Sequence, residues 1–123
     1  MKLRPSLNIV SLPKYMDEIR MSQLFKSFDI IAFNETRLDL SISDGEVKIY
    51  GYDLIRKDRT RKGGGVCIFL RSSINYQNRS DLVPNDLEGV YLKIFKPNSR
   101  LLVLHLFIDR LIAQAIFLLI LRA

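Results

Sequence analysis

The alternation of apolar and polar residues along the chain predicts several short strands and one helix. The runs 29–35 (DIIAFNE) and 66–71 (VCIFLR) are typical of strands that are buried on both faces. Apolar residues spaced at i, i+3, i+4 and i+7 predict a helix over 14–28. The segment 6–12 (SLNIVSL) is apolar and partly β-branched, which predicts a strand that stops at Pro13. A strand, a helix and a buried strand in this order favour an α/β architecture.

The middle of the chain adds further strands. The segment 47–55 predicts one strand or a bent pair around Gly51, and a charged loop over 56–65 ends in three glycines. The segment 87–96 alternates like a half-buried strand, and 101–107 is expected to close a hairpin with it. One helix cannot cover sheets this apolar on both faces. We therefore expect the covering layer to come from the hydrophobic tail or from chain outside this sequence.

The tail is unusually apolar. In 101–121 the only side chains that are not hydrophobic are His105, Asp109, Arg110 and Gln114. Charges near the middle of such a segment are costly in hydrocarbon, and the uninterrupted apolar stretches are shorter than the roughly 20 residues that a membrane span needs. The N-terminus lacks the apolar core of a signal peptide. We therefore expect no membrane association and an intracellular location, nuclear or cytoplasmic.

Composition narrows the class of protein. Hydrophobic residues make up 48% and charged residues 26%, which excludes a disordered chain. One cysteine and one histidine exclude a disulfide scaffold, a Cys-based zinc site and a His-rich metal site within one chain. Lysine and arginine outnumber aspartate and glutamate by 19 to 13, for a net charge of +6. This surplus fits a polyanionic partner but is common among ordinary domains.

Two polar residues at predicted strands are candidates for chemistry. Glu35 lies where a buried strand ends, and ligands of open α/β sheets collect beyond the carboxyl ends of strands. A carboxylate there suits Mg²⁺, which prefers oxygen donors. Asn8 lies inside an apolar strand, where it could orient a phosphate or a carboxylate. Taken singly, a solvated strand-end glutamate and a hydrogen-bonded structural asparagine explain the two residues better.

A basic run in the charged loop is a candidate for nucleic-acid contact. Its cations could neutralise backbone phosphates and release counterions, although a solvated turn explains the run equally well. His105 has no nucleophile pattern nearby and is expected to be structural. The basic candidates are Arg56, Lys57, Arg59, Arg61 and Lys62.

Four motifs, in order, resemble a known family. They are LNIVS at 7–11, ETRL at 35–38, GYDLIRKDR at 51–59 and GGGV at 63–66. Over residues 6–107 the chain resembles the N-terminal half of an endonuclease/exonuclease/phosphatase domain. More narrowly, it is similar to the apurinic-type endonuclease domain of non-LTR (LINE-like) retrotransposons.

The resemblance implies a fold and an activity. The fold is an α/β four-layer sandwich, two packed mixed β-sheets flanked by helices, expected here in partial, truncated form. The implied activity is cleavage of DNA phosphodiesters with Mg²⁺ or Mn²⁺ and without a small-molecule cofactor. By resemblance, Glu35 is the metal-binding carboxylate and Asn8 is a catalytic residue of the first strand. Residues 1–107 are then the N-terminal part of the domain.

The later motifs of the family do not occur: a Tyr in YRPP or YAPN, an Asp-x-Asn, and a terminal Asp–His pair. The general base is thus missing, and we expect an inactive fragment. Alternatives are a non-enzymatic nucleic-acid-binding remnant and a phosphatase-type member of the same superfamily. One permitted back-translation of 107–123, shifted by two nucleotides, encodes YRPPNSSS. We therefore hypothesise that the tail, 108–123, is an aberrant frameshift product.

Overall fold

Two four-stranded sheets form the framework of the computed structural model, which describes residues 2–59, 63–85, 89–95, 102–109 and 114–121. The strands are β1 Leu3–Asn8, β2 Ile30–Asn34, β3 Tyr52–Lys57, β4 Val66–Arg71, β5 Asn75–Asn78, β6 Gly89–Phe95, β7 Leu102–Asp109 and β8 Gln114–Leu121. The helices are α1 Leu12–Met21 and α2 Gln23–Lys26, with short 3₁₀ turns at Asp44–Val47 and Ser80–Leu82.

The first sheet is mixed and has the strand order β1-β2-β4-β3. Strands β1 and β2 run parallel, with α1 and α2 between them in the chain, whereas β4 pairs antiparallel with both β2 and β3. The second sheet is an antiparallel meander in the order β5-β6-β7-β8. The predicted α/β class is confirmed.

One apolar core lies between the two sheets. Each sheet contributes the side chains of one face, as expected for strands whose successive residues point to opposite sides. The buried residues are Ile30, Ala32, Ile55, Val66, Ile68 and Leu70 from the first sheet, and Ile74, Val90, Leu92 and Ile94 from the second sheet and the turn that leads into it.

A second core lies between the opposite face of the first sheet and the helices. Phe33 of β2 and Phe69 of β4 meet edge to face there, with ring centroids 5.9 Å apart. Because β2 and most of β4 contribute to both cores, the prediction that these two strands are buried on both faces is confirmed. The other buried residues of this core are Leu12, Met16, Ile19, Ile31, Leu38, Ile42, Val47, Ile49, Tyr52 and Cys67.

These layers account for three of the four that the predicted sandwich requires: helices, first sheet, second sheet. Both α1 and α2 lie on the first sheet. On β6, Tyr91 and Lys93 are half-buried and Phe95 is 39% exposed, on the face that points away from the first sheet. Within the described residues, no helix covers that face.

The predicted helix over 14–28 is divided in two. Ser22 has an extended backbone, with φ −79° and ψ 120°, and its hydroxyl accepts a hydrogen bond from the Phe25 N–H at 3.4 Å. Serine favours this capping role over a helix interior, so the helix ends and restarts there. Pro13 lies in the first turn of α1 instead of ending a strand, because proline is well accommodated at the start of a helix.

The segment predicted as strand over 47–55 forms its strand later. A 3₁₀ turn over Asp44–Val47 and a turn at Gly51, with φ +85°, precede β3. Two of the ten residues predicted as loop over 56–65, Arg56 and Lys57, therefore belong to the strand instead.

The hydrophobic tail extends the second sheet. Strand β7 runs on to Asp109, and β8 pairs antiparallel with β7 from Asp109↔Gln114 to Leu102↔Leu121. The frameshift hypothesis for 108–123 concerns the origin of this segment and stays a prediction. Within the described residues, no helix is long and apolar enough to cross a membrane.

Candidate functional site

Glu35 lies immediately after β2, in a turn with unusual backbone geometry. Glu35 and Arg37 both adopt the left-handed region, with φ of +57° and +54°. This conformation costs a residue with a Cβ roughly 1–2 kcal/mol and is found where the surrounding structure enforces it. The turn Glu35–Arg37 is therefore held by its neighbours rather than by its own preference.

The chain that follows β1 holds one side of this turn. Ser11 N–H donates to the carbonyl of Glu35 and Leu12 N–H to the carbonyl of Thr36, each at 2.9 Å. These two bonds continue the β1–β2 pairing beyond the strands and into the start of α1.

The glycines that precede β4 hold the other side. Thr36 N–H donates to the Gly65 carbonyl at 3.2 Å, and Arg37 N–H donates to the Gly64 carbonyl at 2.9 Å. In return, Gly64 N–H donates to Oε2 of Glu35 at 3.0 Å. The ETR and GGG motifs are thus two halves of one hydrogen-bonded unit, and that unit fixes the direction of the Glu35 carboxylate.

The contact between the ETR and GGG motifs leaves no room for a side chain at Gly65. Its φ is +92°, and a Cβ built on it would lie closer to Oγ1 of Thr36 than any real Cβ contact. Thr36 is fully buried, and within the part of the chain that the structure describes its hydroxyl has no hydrogen-bond partner. A buried hydroxyl without a partner is uncommon and marks Thr36 as a constrained residue beside the site.

Asn8 and Glu35 lie at the same edge of the first sheet. Asn8 is the last residue of β1 and pairs across the parallel ladder with Asn34, the residue before Glu35. Ile9 N–H continues the ladder by donating to the Asn34 carbonyl at 3.1 Å. The sheet thus brings together the two residues that the sequence singled out, and their catalytic roles stay predictions.

The sequence predicted Asn8 as the buried asparagine, but the structure buries Asn34 instead. Asn8 is exposed, so the cost of a buried amide does not apply to it. Asn34 is the buried asparagine, at 3% exposure, and it stands next to the candidate carboxylate. Sequence reasoning passed over Asn34 and Thr36, although a polar pair at the end of a doubly buried strand is a usable signal.

The first member of the basic run is tied into the protein. The Arg56 guanidinium donates to Asp58 at 2.6 Å, to Asp44 at 3.0 Å and to the carbonyls of Ile42 and Asp39 at 2.8 Å. Its hydrogen bonds to Asp58 raise the pKa of Arg56 above its usual value. These contacts anchor the loop 39–44 on β3, which is a structural role.

The remaining basic candidates differ in how far they are described. Lys57 and Arg59 are exposed beside the end of β3. Arg61 and Lys62 lie outside the described residues. Nucleic-acid contact by this run stays a prediction.

Within the part of the chain that the structure describes, carboxylates and other metal-binding side chains do not form clusters. Among the described residues, no group of three or more His, Cys, Asp or Glu side chains is placed to hold one metal ion. Mg²⁺ usually takes one or two carboxylates from a protein and fills its remaining positions with water and substrate oxygens. Glu35 is a carboxylate at this edge of the sheet, and its role as a metal ligand stays a prediction.

No family model and no curated protein matches the chain. The arrangement of the site and the order of the motifs are the observations that bear on function.

Proposed function

We propose that this chain represents a metal-dependent phosphodiesterase lineage, the DNA-nicking endonuclease domain of a non-LTR retrotransposon. One observation carries the proposal. The Glu35 carboxylate stands at the carboxyl end of β2, where Gly64 N–H holds it at 3.0 Å in a turn that the surrounding backbone keeps left-handed. A carboxylate fixed at this edge of an α/β sheet is arranged for ligand binding.

The residues at this edge fit Mg²⁺ or Mn²⁺ in their chemistry. The carboxylate oxygens of Glu35 are hard donors, and the side-chain amide of Asn8, at the end of the neighbouring strand, can accept or donate a hydrogen bond. Glu35 would hold the metal and Asn8 would orient a phosphate oxygen. When bound, the metal supplies polarisation of the phosphate and stabilisation of the leaving oxygen.

The same proposal predicts an incomplete reaction. Phosphodiester hydrolysis also requires a group that takes a proton from the attacking water. The resemblance places that group, and the histidine that braces the phosphate, in motifs that this sequence does not contain. We therefore propose that these 123 residues bind the metal without cleaving DNA on their own.

Metal binding is tested by titrating the purified chain with Mn²⁺ and following the free ion by electron paramagnetic resonance. Glu35→Gln keeps the size of the side chain and removes its charge, so we expect binding to fall at least tenfold. Glu18→Gln, on the exposed face of α1, removes the same charge elsewhere and should leave binding unchanged. Equal Mn²⁺ affinity of Glu35→Gln and the unaltered chain would refute the assignment of Glu35.

Cleavage is tested separately with supercoiled plasmid and Mg²⁺. We expect no nicked product above that of Glu35→Gln. Nicking that the Glu35→Gln change abolishes would support the nuclease lineage and overturn the proposal that the chain is catalytically incomplete.

A non-enzymatic nucleic-acid-binding role is the second candidate, and the exposure of Lys57 and Arg59 beside the site favours it. This role predicts plasmid binding in EDTA that Lys57→Gln with Arg59→Gln weakens, whereas Glu35→Gln should not weaken it.

A further inference from the structure

A basic cavity of about 590 Å³ lies at the opposite end of the first sheet from Glu35. Strand β3 begins and β4 ends beside it, whereas Glu35 follows the end of β2. The five residues of β2 separate the two ends by about 16 Å at roughly 3.3 Å per residue. Four cationic residues and two tyrosines contribute to its lining: Arg20, Lys26, Lys48, Arg71, Tyr50 and Tyr52.

The two arginines are held in place by the fold. Arg20 donates from Nε to the Lys48 carbonyl at 2.8 Å and from Nη2 to the Glu46 carbonyl at 2.9 Å. Arg71 donates to the Lys26 carbonyl and, from Nε, to Oδ1 of Asp29 at 3.0 Å. The backbone carbonyls orient both guanidinium groups without cancelling their charge, but the Asp29 carboxylate offsets part of the charge of Arg71, so Arg20 is the preorganised cation of the cavity wall.

Positive charge exceeds negative charge around the cavity. No carboxylate is among the lining residues that the structure describes. The carboxylates paired with the two arginines are Asp29 and Asp17, and Asp17 lies 3.8 Å from Arg20 with its side chain fully exposed. Lys26 and Lys48 are exposed and add two further cations. The net charge around the cavity is therefore positive, which favours an anionic ligand.

The tyrosines make the cavity more than an anion site. Tyr52 is buried, and its hydroxyl donates to the Phe28 carbonyl at 2.5 Å. The Arg71 guanidinium lies over the Tyr52 ring, with its Cζ atom 5.0 Å from the ring centroid. Tyr50 is 95% exposed at the margin of the cavity. An exposed aromatic ring beside a cationic groove is the arrangement on which the bases of a single strand stack.

We propose that this cavity binds single-stranded nucleic acid, with Lys26 and Lys48 on phosphates and Tyr50 stacked on a base. The cavity volume lies within the range of small-ligand sites, which is enough for about one nucleotide. This binding does not depend on metal or cleavage at Glu35.

The test measures fluorescence anisotropy of a labelled eight-residue oligothymidylate, in EDTA, from about 50 to about 200 mM NaCl. Lys26→Gln with Lys48→Gln should weaken binding about tenfold at low salt. If each lysine neutralises one phosphate, the negative slope of log K against log salt should become shallower by about 1.4. The matched control is Lys14→Gln with Lys93→Gln, which removes equal charge elsewhere and should change the slope by less than half as much.

Tyr50→Ala separates nucleic acid from other polyanions. It should weaken oligothymidylate binding roughly fivefold or more, since stacking contributes about 1–3 kcal/mol per base. It should leave the inhibition of oligothymidylate binding by inorganic tripolyphosphate unchanged. Equal losses in the two lysine pairs, no loss in Lys26→Gln with Lys48→Gln, or no effect of Tyr50→Ala would each overturn the proposal. Far-UV circular dichroism of each variant verifies that the fold is kept.

Discussion

The contact between the ETR and GGG motifs predicts that replacing Gly65 destabilises the fold. Gly65→Ala introduces two separate costs. Its φ of +92° is strained for alanine, and the added methyl group must displace the buried Thr36 hydroxyl. Left-handed strain costs roughly 1–2 kcal/mol, and overpacking in a closed site roughly 1–3 kcal/mol. We therefore expect the free energy of unfolding to fall by about 2–5 kcal/mol.

Two other glycines provide matched controls. Gly51 also has a positive φ, +85°, but a Cβ there would meet nothing within 4 Å, so Gly51→Ala should cost only the strain of about 1–2 kcal/mol. At Gly45 neither cost arises, since the nearest atom is Ser43 Oγ at 3.8 Å, and Gly45→Ala should be close to neutral. The expected order of stability loss is Gly65→Ala, Gly51→Ala, Gly45→Ala.

The assay is urea unfolding followed by far-UV circular dichroism. For a small protein the urea dependence is about 1–3 kcal/mol per molar, so Gly65→Ala should lower the midpoint by about 1 M or more. In a Thr36→Ala background the clash with the hydroxyl is absent, and Gly65→Ala should cost only the strain term. A Gly65→Ala loss no larger than that of Gly51→Ala, or one that Thr36→Ala does not relieve, would refute the predicted contact.

Three further predictions concern single side chains. Arg56→Lys should lower the free energy of unfolding by about 1–3 kcal/mol, because a lysine ammonium cannot make the hydrogen bonds of the planar guanidinium to all four partners. Arg79→Lys, at an exposed ion pair, should change the free energy of unfolding less. Urea midpoints measure both changes. Burial raises the pKa of the Tyr52 hydroxyl, so this tyrosine ionises at a lower pH in the unfolded chain than in the folded protein. The stability that neutral Tyr52 contributes is therefore fully present below about pH 10 and should be lost as the pH rises further. In urea titrations at increasing pH, Tyr52→Phe should flatten this decline and Tyr50→Phe should not. Burial also raises the pKa of the Cys67 thiol, so iodoacetamide should label it at about pH 8 only in urea, as detected by mass spectrometry.

The strands buried on both faces could be predicted from sequence because their signal lies within each strand. Four or more apolar residues in a row, bounded by polar ones, describe both β2 and β4 without knowledge of their partners. The break at Ser22 could not be predicted in this way. Periodicity reports which face of a helix is apolar, and it carries no information on whether a serine caps a new turn instead of continuing the old one.

The layer arrangement was predictable only in part. The apolar faces of the first sheet required cover, and the structure supplies helices on one side and the second sheet on the other. The strand that closes the hairpin with β6 was predicted, but β8 was not, because periodicity alone cannot distinguish a continuous apolar run in a strand from one in a buried helix. The pairing of β8 with β7 depends on the partner as much as on the segment itself.

The candidate site was predictable as a set of residues but not as a set of contacts. Thr36 and Gly65 are far apart in the sequence, and each motif alone allows several interpretations. The antiparallel register that sets Asn34 opposite Val66 places the residues after β2 opposite the residues before β4. Given that one pairing, the ETR turn must meet the glycines, and a side chain at Gly65 must collide with Thr36. The two motifs therefore meet in space because of the sheet register, and the same register determines how the Glu35 carboxylate is held.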